Sequence, residues 1–250
     1  MQEVSKNRKL RPEERSLYEE NGYVVVENLF SCDELRSVEA ELDRLVCVAE
    51  KSGTTGIAHT GGNRNEGWLL QLGLRSEITQ RFVQDERVLD LIEDIVHPGI
   101  AIYSAKLTAK MPQSTEICHW HQDNAYYNAH AASKTRMSTW IPLVDTIEAN
   151  GCLWVVPGSH KDGVREHGKY GGQCPTSMGP ADMAADGAIP CPVKAGSILL
   201  FSSDLWHHSK GNQTDQVRRA FIVSYQEATV PRGNADQWKV LRAGIGSRQL

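Results

Sequence analysis

The chain lacks long apolar runs. None of its 250 residues sits in a run exceeding six apolar residues, far short of the ~20 that a membrane-spanning helix needs. It lacks a charge excess as well. Its net charge of −4 implies no general attraction to nucleic acid or to anionic membrane. The opening residues, MQEVSKNRK, lack the apolar segment of a signal peptide. No C-x-x-C pair occurs among the six cysteines (Cys32, Cys47, Cys118, Cys152, Cys174 and Cys191), which argues against a zinc knuckle. Their scatter points to mostly reduced thiols and a cytoplasmic setting. Internal repeats and domain-separating linkers are also missing, so residues 1–250 are expected to form a single domain. A hydrophobic fraction of 40% and a charged fraction of 23% are ordinary for a globular chain able to bury a full core.

What is present is a cluster, His119-Trp120-His121-Gln122-Asp123, with Tyr126 and Tyr127 behind it. On an extended strand, residues i and i+2 share a face, so His121 and Asp123 are expected to reach one metal ion together. Two imidazoles and a carboxylate on one side of an iron make the facial triad of non-haem Fe(II) oxygenases. The third ligand must come from afar. Trp206-His207-His208-Ser209 lies 86 residues on and offers His207 or His208, which face opposite ways on a strand. Arg218, eleven residues past His207, begins another β-type run beside Arg219. One of the two is expected to point inward, where a buried guanidinium requires an anionic partner such as a dicarboxylate.

The rest of the chain divides in two. Up to residue 97 it reads as helical. A helix is expected over 12–20, a strand over 23–27, and a helix over 32–50 opened by a capping box of Ser31 and Glu34. A further helix is expected over 76–96. From 100 onward, β-type runs over 101–109, 117–123, 135–145, 152–157, 193–201, 205–208 and 217–227 are separated by Gly, Pro, Asn and Asp. Two long irregular stretches, 51–67 and 158–192, are candidate covers over a site. Cys118 is expected to be a small packing residue. Trp206 is expected in the core.

These segments, taken in order over roughly residues 10–228, resemble the phytanoyl-CoA dioxygenase family of Fe(II)/2-oxoglutarate oxygenases. The matching pieces are Gly22–Val26, Lys106 through Lys110-Met111-Pro112, Trp120-His121-Gln122-Asp123 and Trp140-Ile141-Pro142-Leu143. Asn150-Gly151-Cys152-Leu153 running to Pro157-Gly158-Ser159-His160, and His207-x-Ser209-x-x-Asn212 with Arg218, complete the set. The resemblance implies a mainly β fold with flanking α: a double-stranded β-helix (jelly roll, cupin-like) core over about 100–228, with N-terminal helices from about 10–97 packed outside. It implies His121, Asp123 and His207 as iron ligands, the H-x-S pattern selecting His207. It implies Arg218 and Ser209 at the far carboxylate of 2-oxoglutarate, with Lys106 and Trp140 bordering that pocket. Halogenating relatives replace the aspartate with a small residue, so Asp123 favours hydroxylation. The expected function is oxidation of a small or medium metabolite with Fe(II), 2-oxoglutarate and O2, giving succinate and CO2. A 2-oxoglutarate-independent cupin-like metalloenzyme and a non-catalytic jelly-roll binding protein are the alternatives.

Overall fold

Helix α1 (Pro12–Asn21) starts where the sequence demands it. Proline stands at its first position, and Glu14 accepts from the Arg11 backbone N–H at 2.9 Å. It ends at Gly22, whose φ of 82° closes the cap with an N–H donated to Tyr18 O at 2.8 Å. A Cβ on Gly22 would fall 2.5 Å from His160 Nδ1, so glycine is required there for space as well as for backbone. Strand β1 (Tyr23–Val26) follows, then α2 (Cys32–Ser52). Its predicted capping box is present: Glu34 N–H donates to Ser31 Oγ, and Ser31 N–H donates back to Glu34 Oε2 at 2.8 Å. The computed structural model describes residues 8–52, 57–59, 67–70, 76–126, 133, 135–172, 174, 176–178, 185–230 and 239–244.

Three expectations need correction here. The single helix over 76–96 is two, α3 (Glu77–Val83) and α4 (Glu86–Ile92). Asp85 breaks the run by accepting from Arg87 N–H and capping the second helix. The stretch 51–67 is not all loop: β2 (Ile57–His59) pairs with β3 (Gly67–Leu70), which pairs in turn with β4 (Ile100–Lys110). β4 is long enough to template a further strand beside it. Residues 53–56 and 60–66 of that stretch lie outside the described residues. The stretch 158–192 contains a short 3-10 turn at Ser159–Asp162 and ends in β8 (Ile189–Cys191).

The remaining elements are β5 (Cys118–His121), α5 (Asp123–Tyr126), β6 (Met137–Pro142), β7 (Leu153–Val155), β9 (Ile198–Ser202), β10 (His207–Ser209), β11 (Arg218–Gln226) and β12 (Lys239–Arg242). Among the described residues the strands form two antiparallel sheets. The larger has eight strands ordered β1-β9-β6-β11-β4-β3-β2, with β12 also on β4; the smaller is β5-β10-β7-β8. This is the expected mainly β jelly-roll core with helices, and strands distant in sequence lie side by side in it.

Alternation along the large sheet creates two chemically different faces. Val24, Val26, Leu107, Ile141, Leu200, Phe221 and Val223 join Leu35, Val38 and Leu42 of α2 and Val88, Leu89 and Ile92 of α4 in the main apolar cluster. Truncating one of these fully buried side chains to alanine costs about 2–5 kcal/mol. The other face, with Trp140, Leu199, Phe201, Ala220 and Ile222, packs against Leu153 and Val155 of the small sheet. The candidate site sits on this inner face.

Candidate metal centre

β10 brings the two halves of the motif together. It pairs antiparallel with β5, placing His207 opposite His121. Their rings lie 4.0 Å apart between centroids, and each Nε2 is 3.9 Å from Asp123 Oδ1. All three residues are buried, and their ligand atoms lie within 4.8 Å of one another. Asp123 is not on the strand, as the i, i+2 argument required. β5 stops at His121, and Asp123 is the first residue of α5. The cause is Gln122, which leaves the sheet. Its N–H donates to His167 Nε2 at 2.9 Å, and its side-chain amide donates to Gly163 O and Asp204 O. Asn124 N–H then donates to Ser203 O at 2.9 Å and holds the turn.

The protonation pattern suits a cation. His121 Nδ1 donates to His119 O at 2.8 Å and His207 Nδ1 donates to Leu205 O at 2.9 Å, so both Nε2 lone pairs face Asp123. Burial lowers both imidazole pKa values, His121 well below its ordinary value, and keeps them neutral. Burial would raise the Asp123 carboxyl, but Lys106, the two imidazoles and a hydrogen bond from Ser138 outweigh it and hold it at about 2. Two neutral nitrogens and one carboxylate are a donor set that fits Fe(II).

The other predicted residues line the same interior. Lys106 Nζ is 4.0 Å from Asp123 Oδ1. Lys106 and Trp140 both stand opposite Ile222, on the two sides of β11. Trp140 is fully buried, and the Arg218 guanidinium lies 5.7 Å from its ring centre. Ser209 is buried two residues past His207 on the same strand. Arg218 points in and is 2% exposed; Arg219 points out and pairs with Asp43 at 2.6 Å. Arg218 donates to Thr108 Oγ1 at 3.2 Å and Gly151 O at 3.0 Å, while its Nε has no partner among the described residues. Burial pulls its pKa down to about 10.

His208 faces away from the cluster and stacks on Trp120 at 4.2 Å. Trp206 packs with Trp120 and Met178, as expected of a core residue. His119 contributes only its carbonyl to the centre. Tyr126 stacks near His121 at 5.3 Å, and Tyr127 lies outside the described residues.

Some contributors were not anticipated. Ser138 donates to Asp123 Oδ2 at 2.8 Å and contacts Ser224 at 2.9 Å. Its signal was available, since Ser138 is two residues before Trp140 on one strand. Thr108 and Gly151 hold Arg218, and Gln122 anchors the stretch after residue 162. Cys118 also departs from its expected role as a reduced packing residue. It is disulfide-bonded to Cys174, beside the Met178 N–H that donates to Trp120 O of β5. A second His/Cys grouping, Cys118, His121 and Cys174, is therefore no metal site while its sulfurs are bonded to each other.

A jelly roll with a buried His/Asp/His cluster and a buried, inward-pointing arginine defines the class of non-haem iron and 2-oxoglutarate-dependent oxygenases. The model of the phytanoyl-CoA dioxygenase (PhyH) family matches residues 18–220, and the chain belongs to that family. The ectoine dioxygenase of Bordetella parapertussis is 26% identical over 228 residues, covering 83% of this chain and 72% of the relative. The phytanoyl-CoA dioxygenase domain-containing protein 1 of Bos taurus is 25% identical over 276 residues, covering 92% and 94%. Among solved structures, the carbocyclase SnoK from nogalamycin biosynthesis superposes with a TM-score of 0.73 at 23% identity, over 89% of this chain and 86% of that one. EctD from S. alaskensis, with 2-oxoglutarate and 5-hydroxyectoine, gives 0.73 at 21% identity, over 88% and 77%. The protein is a non-haem iron and 2-oxoglutarate-dependent oxygenase.

Proposed function

We propose that this enzyme hydroxylates an unactivated C–H bond of a small or medium metabolite in the cytoplasm, and that residues 1–250 act as one catalytic domain. In this reading His121, Asp123 and His207 hold Fe(II), and Arg218 with Ser209 receives the far carboxylate of 2-oxoglutarate. Lys106 and Trp140 border that pocket. Bound Fe(II) would activate O2, with 2-oxoglutarate giving up two electrons as it is converted to succinate and CO2.

The chain's own groups do the rest. The two Nδ1–H donors lock each ring with Nε2 inward. Ser138 holds one oxygen of Asp123, which leaves Oδ1 facing the imidazoles. Trp140, Phe201 and Ile222 exclude water from the interior. The observation that carries the reading is Arg218: a buried cation with an idle Nε on the same lining as the triad is arranged for an anion that none of the described residues provides. Asp123 fills the position whose loss accompanies halogenation, which supports hydroxylation. Two of the similar proteins, an ectoine dioxygenase and EctD with 5-hydroxyectoine, support a small-metabolite substrate.

The test is anaerobic reconstitution with Fe(II) and 2-oxoglutarate, followed by succinate assays against a metabolite panel. A weak visible charge-transfer band is expected in the native enzyme and absent in His121→Ala and Asp123→Ala. Retention of the band in both variants refutes the ligand assignment. Product formation without succinate refutes the role of 2-oxoglutarate.

A further inference from the structure

β5 is the edge strand of the small sheet, and it carries His121. Edge strands leave backbone groups unpaired unless something covers them. Here a strap made of residues 163–172, 174 and 176–178 does so. Met178 N–H donates to Trp120 O at 2.8 Å, His167 takes the Gln122 N–H, and Arg165 N–H donates to Gln122 Oε1 at 2.8 Å. Tyr126 Oη donates to Thr176 O at 2.5 Å. Gly168 and Ser177 exchange both backbone hydrogen bonds, so the strap doubles back with Cys174 between them. Gly172 allows close docking: a Cβ there would fall 2.5 Å from Ile117 O and 2.9 Å from the His119 ring. Yet residues 163–172 are mostly exposed, and they are tied to the rest by three hydrogen bonds to Gln122 and by the Arg165 guanidinium 4.0 Å from the Trp206 ring centre, with Met178 packed against Trp120 and Trp206 at the far end. Such a segment opens readily unless it is fastened.

The fastening is Cys118–Cys174. One sulfur belongs to the metal strand and the other to the strap, and Cys118 Sγ lies 3.5 Å from His121 Nδ1. We propose that this pair is a reversible redox latch: oxidation fastens the strap along the strand that carries His121, and reduction releases it. The oxidant is a peroxide, small enough to reach two buried sulfurs. One thiol attacks the peroxide, cleaving its O–O bond and giving a sulfenic acid and one water. The second thiol attacks that sulfur and expels the second water. Two thiols and one hydrogen peroxide thus give one disulfide and two waters, the sulfurs losing two electrons. A dithiol reverses the change by exchange, becoming a disulfide itself.

The test uses the full chain after treatment with dithiothreitol or with stoichiometric hydrogen peroxide. Free thiols are alkylated and mapped by mass, and hydrogen exchange is followed in peptides spanning 163–178. Oxidation is expected to remove Cys118 and Cys174 from the alkylated set, and dithiothreitol to restore both. Strap amides in the oxidised form are expected to exchange about tenfold or more slowly than in the reduced form, with β4 and β11 unchanged. Cys174→Ser is expected to exchange like the reduced protein under both treatments; reduced wild-type protein supplies the same reference without a substitution. The latch is overturned if the two cysteines remain alkylatable after peroxide, if dithiothreitol fails to restore them, or if strap exchange ignores redox state. None of these readouts needs turnover or bound metal, so failure here leaves the proposed activity standing.

Discussion

Replacing Arg218 with methionine is expected to separate function from stability. The guanidinium is fully buried, and burial has pulled its pKa from 12.5 to about 10. That shift corresponds to about 3 kcal/mol of penalty on the charged form. Methionine, similar in length and apolar, removes the penalty. It also deprives Gly151 O and Thr108 Oγ1 of a donor, which costs roughly 1–3 kcal/mol. The two effects nearly cancel, so ligand-free Arg218→Met is expected to unfold in urea within about 2 kcal/mol of the native protein. Had Arg218 been half of a buried ion pair, removing it would cost about 3–5 kcal/mol. The dicarboxylate tells the opposite story. Two charge-assisted hydrogen bonds of about 1.5–3 kcal/mol each are lost, so the 2-oxoglutarate requirement is expected to rise by roughly 10² to 10⁴-fold. Arg218→Lys keeps the charge without the fork, and its requirement is expected to fall between the two. The assays are urea unfolding and the 2-oxoglutarate dependence of succinate release. A stability loss above about 4 kcal/mol with an unchanged 2-oxoglutarate requirement would refute the reasoning, because the guanidinium would then be serving the fold.

Three further outcomes are expected. Ser138→Ala removes the donor to Asp123 Oδ2 and should weaken metal affinity by about 10–100-fold in chelator competition, with an unchanged circular dichroism spectrum. Anaerobic Fe(II) at 100 times its Kd should stabilise the protein by about 2.7 kcal/mol, reversibly with a chelator; His207→Ala should abolish that response and His208→Phe should keep it. His208 has its pKa depressed to about 3, chiefly by burial and by Lys210. On acidification the unfolded chain takes up its proton first, near 6.5. The stability tied to the neutral ring is therefore full above that pH and is lost below it, by up to about 1.4 kcal/mol per pH unit. Urea midpoints at pH 7 and pH 5 should drop further in the native protein than in His208→Phe, which keeps a ring against Trp120.

The residues that announced themselves in the sequence are those whose chemistry is rare in a core. His121, Asp123, His207 and Arg218 stood out because charged and imidazole groups within β-type runs need a reason. Capping was equally legible at Ser31 and Glu34, since its pattern is local. What stayed hidden depends on contacts distant in sequence. Nothing near Gln122 reveals that it leaves the sheet, because its partners are His167, Gly163 and Asp204. The split between α3 and α4 was concealed by apolar periodicity that continues across Asp85. β2 and β8 are three-residue strands, too short to show alternation, and they exist because β3 and β7 are there to pair with them. The Cys118–Cys174 bond joins residues 56 apart, and no spacing rule selects that pair from six cysteines.

The division of the large sheet explains how such an expensive interior is tolerated. One face spends its alternating positions on an apolar cluster with the helices and holds the fold together. The other carries Lys106, Ser138 and Arg218 toward the small sheet, where Asp123 and the two histidines complete the cluster. Because i and i+2 share a face, β4 and β11 each serve both purposes at once: Leu107 packs while Lys106 and Thr108 face inward, and Phe221 packs while Ala220 and Ile222 line the interior. A slip of one residue in β4 or β11 would exchange the two sets and bury lysine and arginine among the helices. The two apolar registers and the polar one therefore constrain each other. The fold holds its reactive residues in place through the same alternation that builds its core.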